Sequence, residues 1–182
     1  NGLADLLEAM ALVKADSPAG QVPVQLRLIG DGPGKQELMR QASRLELDGR
    51  WVRFEPPVPK RDIPAVAREA DAFVITVRDL PRLYRFGISM NKLFDYMAAG
   101  RPVIIASAAI NDPVAEAGAG ITVPPEDPLA LAEAIKRLVA LPTAERARMG
   151  QAGRAHVEAV YDYRILAERL AGIMNDVMDE KQ

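Results

Sequence analysis

Between residues 85 and 95 the chain reads Arg-Phe-Gly-Ile-Ser-Met-Asn-Lys-Leu-Phe-Asp. A glycine, a hydroxyl, a side-chain amide, a cation and a carboxylate fall in one short stretch. The pattern is a glycine-hinged loop, a helix opened by Ser89 and closed by Gly100, and then a buried strand from Pro102 to Ala106. Helix N-termini carry partial positive charge and unpaired N–H groups, so acids normally occupy the first turn. Here Lys92 stands there, with only Ser89 to cap. Other helices of this chain open on acids: Asp62 before 63–70, and Glu126 and Asp127 before 128–141. A helix start built from Gly87, free amides and Lys92 suits an anion better than it suits itself, and phosphate has the required shape and charge. The alternative is an exposed lysine that costs roughly a few tenths of a kcal/mol.

The elements that would position these residues follow from periodicity. Leu3, Leu6, Leu7, Met10 and Val13 put a helix over residues 2–15, and Val22 to Ile29 is a buried strand. Gly30-Asp31-Gly32-Pro33-Gly34-Lys35 turns into a helix over 34–46. Its spacing fits neither a Walker loop nor a dinucleotide fingerprint, so it is a tight strand-to-helix turn. A strand at 51–55, a helix at 62–70 and the apolar strand 72–77 precede the connection 78–85, which carries Arg78, Arg82 and Arg85. Of these, Arg85 lies closest to Gly87 and could grip a diphosphate bidentately, while Arg78 and Arg82 read as surface residues. A short helix at 113–117, a strand at 121–123 and helices at 128–141, 143–157 and 162–178 complete the chain. Strands alternating with helices predict an α/β fold with a doubly wound, Rossmann-like parallel sheet, whose ligands sit beyond the carboxyl ends of the strands. The loop 85–92 follows such an end.

Bulk properties narrow the function. A chain of 182 residues, 49% hydrophobic and 26% charged, fits one soluble domain with its own core. A net charge of −2 gives no bulk attraction to nucleic acid or anionic membrane. No run of about 18 apolar residues spans a bilayer. With no cysteine and one histidine, His156, no metal-ligand cluster is legible. His156 reads as a structural or surface residue.

Two segments carry a resemblance. Gly-Ile-Ser-Met-Asn-Lys-Leu-Phe-Asp-Tyr-Met-Ala-Ala-Gly-Arg-Pro-Val-Ile, residues 87–104, closely resembles the nucleotide-sugar-binding segment of retaining glycosyltransferases of family 4, which have the GT-B fold. It is nearest a branch of amino-sugar transferases of surface-polysaccharide pathways. The stretch 113–135, Pro-Val-Ala-Glu-Ala-Gly-Ala-Gly-Ile-Thr-Val-Pro-Pro-Glu-Asp-Pro-Leu-Ala-Leu-Ala-Glu-Ala-Ile, is the second match. In that family two Glu residues eight positions apart bracket the central loop. The second falls on Asp95 and the first on Gly87, so half of the pair is absent here.

The resemblance implies the C-terminal, donor-binding half of a two-domain GT-B enzyme, with residues 1–182 as a single nucleotide-sugar-binding domain. It implies an NDP-sugar donor, a UDP-sugar in the resembling branch, and transfer of a hexosyl or N-acetylhexosaminyl group to a glycan or lipid-linked acceptor held by the other domain. Arg85, Gly87, Ile88, Ser89, Asn91 and Lys92 would hold the phosphates, Asp95 the ribose hydroxyls, and Pro57 and Val58 the base. Pro56 stands where the family usually has a glycine, and Glu116 is a further candidate contact. Catalytic residues are not assigned in this half. No cofactor or metal is implied, and the location is the cytoplasm, with peripheral attachment to the inner membrane through the other domain. The family's domain starts one strand earlier, with a central strand that ends in Gly-Arg and is followed by Lys. The sequence begins past it, which predicts a gap in the sheet. Two rival expectations are a GT-B sugar-nucleotide epimerase, which would need acids and a histidine in the cleft, and a nonenzymatic nucleotide-binding or interaction module.

Overall fold

The computed structural model of the chain describes residues 2–179. In chain order, helix α1 (Leu3–Ala15) precedes strand β1 (Leu26–Ile29), α2 (Lys35–Arg44), β2 (Val52–Glu55), α3 (Ile63–Glu69) and β3 (Phe73–Thr76). The short α4 (Pro81–Tyr84) and α5 (Asn91–Ala98) lead to β4 (Val103–Ala106), α6 (Pro113–Glu116) and β5 (Gly120–Val123). Three helices follow: α7 (Pro128–Ala140), α8 (Thr143–Val160) and α9 (Tyr163–Asp179).

All strand pairs are parallel, as the alternation of strands and helices requires. They form two sheets, β1–β2 and β3–β4–β5. No ladder joins β1 to β3, so the interruption expected from the sequence is present among the described residues. One apolar core nevertheless runs beneath both sheets. Leu6 and Met10 of α1, Val52 of β2, Ile104 and Ala106 of β4, and Leu131 and Ile135 of α7 belong to it. The alternate residues of β4, Val103 and Ile105, point to the opposite face, where Ile75, Leu93, Met97 and Val114 pack. β4 is buried at every position, the signature of a strand covered on both sides.

Several local expectations change. The apolar pattern starts the first strand at Val22, but pairing begins at Leu26, whose N–H donates to Trp51 C=O. Pro23 has no N–H to give a ladder, which accounts for the late start. The connection 78–85 contains α4, a single turn started by Pro81 at its first position. Ser89 does not open α5: the helix begins at Asn91, with Met90 at the N-cap and no capping side chain. Asp62 likewise makes no capping bond. Asp127 does cap α7, accepting from Ala130 N–H at 2.9 Å.

Candidate functional site

α5 is held by four of its side chains. Leu93 and Met97 are fully buried. The Tyr96 ring stacks on Phe73 of β3, centroids 4.1 Å apart, and Phe94 meets Tyr161 beyond α8 at 4.3 Å. α8 approaches closely because Gly150 faces the Gly100 carbonyl, where any Cβ would collide with backbone. These anchors fix the helix and leave Asn91, Lys92 and Asp95 exposed together on the opposite face. Burial and the neighbouring Asp95 carboxylate push the Tyr96 phenol upward, so it stays protonated at neutral pH.

The loop before α5 is held as firmly. β3 and β4 are neighbours, so the loops at their carboxyl ends meet. The Tyr84 carbonyl accepts from Gly87 N–H at 3.0 Å and from Ile110 N–H at 3.4 Å. Asn111, in the loop after β4, accepts from Ile88 N–H through Oδ1 at 2.5 Å and donates through Nδ2 to the Ile88 carbonyl at 3.1 Å. Gly87 has φ +102°, and a Cβ there would lie 2.7 Å from Asn111 Oδ1. Glycine is required by both conformation and space.

This bonding narrows the expected donor set. The amides of Gly87 and Ile88 are spent inside the fold and face no anion. Those of Ser89, Met90, Asn91 and Lys92 carry no hydrogen bond among the described residues. No acid stands in the first turn of α5, and the side chains of Lys92 and Asp95 form neither an ion pair nor a hydrogen bond with each other or with any described residue. The result is a helix tip with four open N–H groups and an uncompensated ammonium, suited to oxyanions.

The other candidates are more scattered. Arg85 is exposed and lies 4.4 Å over the ring of Phe86, itself 81% exposed, at the rim of the same loop. Arg78 pairs with Glu126 at 3.7 Å, as a surface residue would. Glu116 accepts from Asp112 N–H at 3.2 Å and thereby closes the start of α6. Lys35 donates to the Gly30 and Glu55 carbonyls, at 2.7 and 3.1 Å, which makes the glycine-rich turn structural. Pro57 and Val58 lie on the loop after β2, and no hydrogen bond ties that loop to the start of α5 among the described residues. His156 is half-buried on α8 against Tyr161, centroids 5.8 Å apart. Two surface depressions, one beside α2 and one between α1 and α7, contain none of these residues. No cluster of His, Cys, Asp and Glu able to hold a metal occurs among the described residues. Asn111 was not singled out from sequence: its Asn-Asp-Pro run reads only as a helix start.

A mannosyltransferase of Corynebacterium glutamicum, the GDP-mannose-dependent monoacylated alpha-(1-6)-phosphatidylinositol monomannoside mannosyltransferase, is 29% identical over 177 residues, covering 95% of this chain and 43% of that protein. The probable glycosyltransferase WbjE of Pseudomonas aeruginosa is 26% identical, covering 100% of this chain and 42% of that protein. The chain thus spans less than half the length of these relatives. Among solved structures, the trehalose 6-phosphate synthase of Burkholderia multivorans superposes with a TM-score of 0.77 at 20% identity, over 99% of this chain and 40% of that one. Anabaena HepE in complex with UDP gives 0.71 at 22% identity, over 94% and 44%. The parallel, helix-flanked sheets are therefore those of the C-terminal half of a GT-B fold. The family described as glycosyl transferases group 1 matches residues 1–140, and the chain belongs to it.

Proposed function

We propose that this chain is the donor-binding domain of a two-domain, retaining family 4 glycosyltransferase that takes an NDP-sugar, with UDP as the nucleotide. The reading rests on the α5 tip: the open amides of Ser89, Met90, Asn91 and Lys92, and the unpaired Lys92 ammonium. When the bond from the sugar C1 to the β-phosphate oxygen breaks, negative charge gathers on the departing diphosphate. Preorganised N–H groups and a cation at that place stabilise the transition state more than the ground state. Arg85 adds a guanidinium at the rim, and Asp95, one turn further along the exposed face, accepts from ribose hydroxyls. Pro57 and Val58 contribute an apolar wall for the base. The transferred group is a hexosyl or N-acetylhexosaminyl unit, and a glycan or lipid-linked acceptor binds through the other domain. The chemistry assigned to these residues requires no metal, and the enzyme works in the cytoplasm or at the inner face of a membrane. Among the described residues, no helix is long and apolar enough to cross a bilayer. UDP is favoured by the resembling branch and is bound in one solved structure of the same fold, whereas the Corynebacterium glutamicum relative is GDP-mannose-dependent, so the titration must separate the two nucleotides.

Calorimetric titration of UDP, GDP and ADP into the chain tests this. UDP should bind measurably, Lys92→Ala should weaken it, and Asp95→Ala should erase the preference for UDP over dUDP. Absence of heat with all three nucleotides would sink the proposal in favour of a module built for protein contacts.

A further inference from the structure

We propose that Asn111 is the positioning residue of the donor site, the clamp that keeps the α5 tip open to a diphosphate. The inference rests on the donor-binding reading of α5. Asn111 is remote from the loop in sequence but holds both polar groups of the Ile88 peptide, accepting its N–H and donating to its C=O. A side-chain amide is the one neutral group that can do both at once in a single plane. The consequence is specific. Ile88 C=O is the acceptor that a longer α5 would offer to its own first-turn amides through i to i+4 bonds. Asn111 instead holds that carbonyl in the loop, and with Met90 extended (φ −108°, ψ 123°) the Lys92 N–H finds no intrahelical partner and stays available to a ligand. The clamp also fills the space beside Gly87, where a Cβ would lie 2.7 Å from Oδ1, so the loop cannot slide back into it.

Asn111 is itself held from behind. Its neighbour Asp112 caps α6 by accepting from Ala115 N–H at 3.0 Å and donates its own N–H to Glu116 at 3.2 Å. Ile110 N–H reaches the Tyr84 carbonyl. The loop after β4 is therefore a rigid bracket anchored on α6, and Asn111 is the arm that grips the loop after β3. Ile88 is 4% exposed, so the gripped peptide has no water to replace the lost partner.

The test compares wild type, Asn111→Ala and Asn111→Asp. The aspartate keeps the size and the acceptor for Ile88 N–H but sets a carboxylate oxygen against the Ile88 carbonyl. Each protein is titrated with UDP, GDP and ADP and with the corresponding nucleosides, and thermal midpoints are recorded without ligand. Both variants should lose at least 10-fold in affinity for the diphosphate that wild type binds and stay within twofold of wild type for its nucleoside. In amide NMR spectra, ligand-induced shifts at Ser89–Lys92 should shrink in the variants. Diphosphate affinity within twofold of wild type in either folded variant would overturn the inference. So would equal losses for diphosphate and nucleoside, the mark of general damage. Should Asn111→Ala fail to fold, Asn111→Asp alone decides. A wild type that binds no nucleotide would remove the donor reading itself, a result distinct from failure of the clamp.

Discussion

Replacing Lys92 by alanine should have two effects of opposite sign. The ammonium stands in the first turn of α5 with no acid in that turn and no ion pair among the described residues. At a helix start it faces the positive end of the dipole, an arrangement that costs about 0.3–1 kcal/mol. Its removal should therefore raise the stability of the free protein by that amount, roughly 1–4 °C in thermal midpoint for a chain of this size. Against a diphosphate the balance reverses. A unit charge pair about 4 Å apart is worth ~1 kcal/mol in bulk water. The exposed side chain keeps Lys92 near that end of the scale, and a hydrogen bond to a charged partner brings the total to about 1.5–3 kcal/mol. At about 1.4 kcal/mol per tenfold, the variant should bind UDP roughly 10- to 150-fold more weakly. Salt should shrink the gap, since an exposed pair is screened. Differential scanning fluorimetry and calorimetry on the same samples supply both numbers. A fall in midpoint together with unchanged UDP affinity would mean that Lys92 supports the fold and serves no ligand, and the electrostatic argument would be wrong.

Two further predictions concern the frame around the site. Gly87→Ala forces a side chain to φ +102° and into Asn111, a strain of about 1–3 kcal/mol. The thermal midpoint should drop by roughly 2–10 °C and nucleotide affinity should fall with it, whereas unchanged values for both would show that the loop is free to move. A second prediction follows from Arg27, which binds Glu55 bidentately at 2.7 and 2.8 Å and Glu69 at 2.8 Å, tying β1 to β2 and α3. The hydrogen bonds from Arg27 hold the Glu55 carboxyl below its usual range. A lowered folded value means that the pair contributes above the ordinary glutamate value of about 4.3 and is lost as pH falls through the lowered one. Because the pair is partly exposed, it should contribute no more than about 1 kcal/mol, so Glu55→Gln should melt some 2–4 °C below wild type at pH 7. The two curves should converge as pH falls from the ordinary glutamate range through the lowered value, and a gap that stays constant over the whole acid range would refute the linkage.

Much of the framework was legible because it follows from local pattern. α1, β4 and α7 announce themselves by apolar period and by punctuation such as Asp127-Pro128, and they lie within a residue or two of the expected positions. What sequence pattern missed depends on contacts between distant parts of the chain. Ser89 has the right chemistry for an N-cap, yet Met90 takes the position because Asn111 sets the path of the loop. Sequence preference for serine at a cap is worth about 1 kcal/mol, and a tertiary clamp on both sides of one peptide can outweigh it.

The same competition explains which part of the site could be read. Lys92, Asn91 and Asp95 share a face because the buried Leu93 and Met97 and the half-buried Tyr96 turn that face outward, a consequence of helical period alone. The distinction between spent amides at Gly87 and Ile88 and open amides at Ser89–Lys92 has no trace in local sequence. It arises where two adjacent parallel strands end and their loops must share hydrogen bonds. Parallel topology places such loops side by side at the carboxyl edge, and a buried peptide there must find a partner. Once Asn111 satisfies the Ile88 peptide from the neighbouring loop, the amides of Ser89–Lys92 are left without a partner among the described residues, open to water or to a ligand.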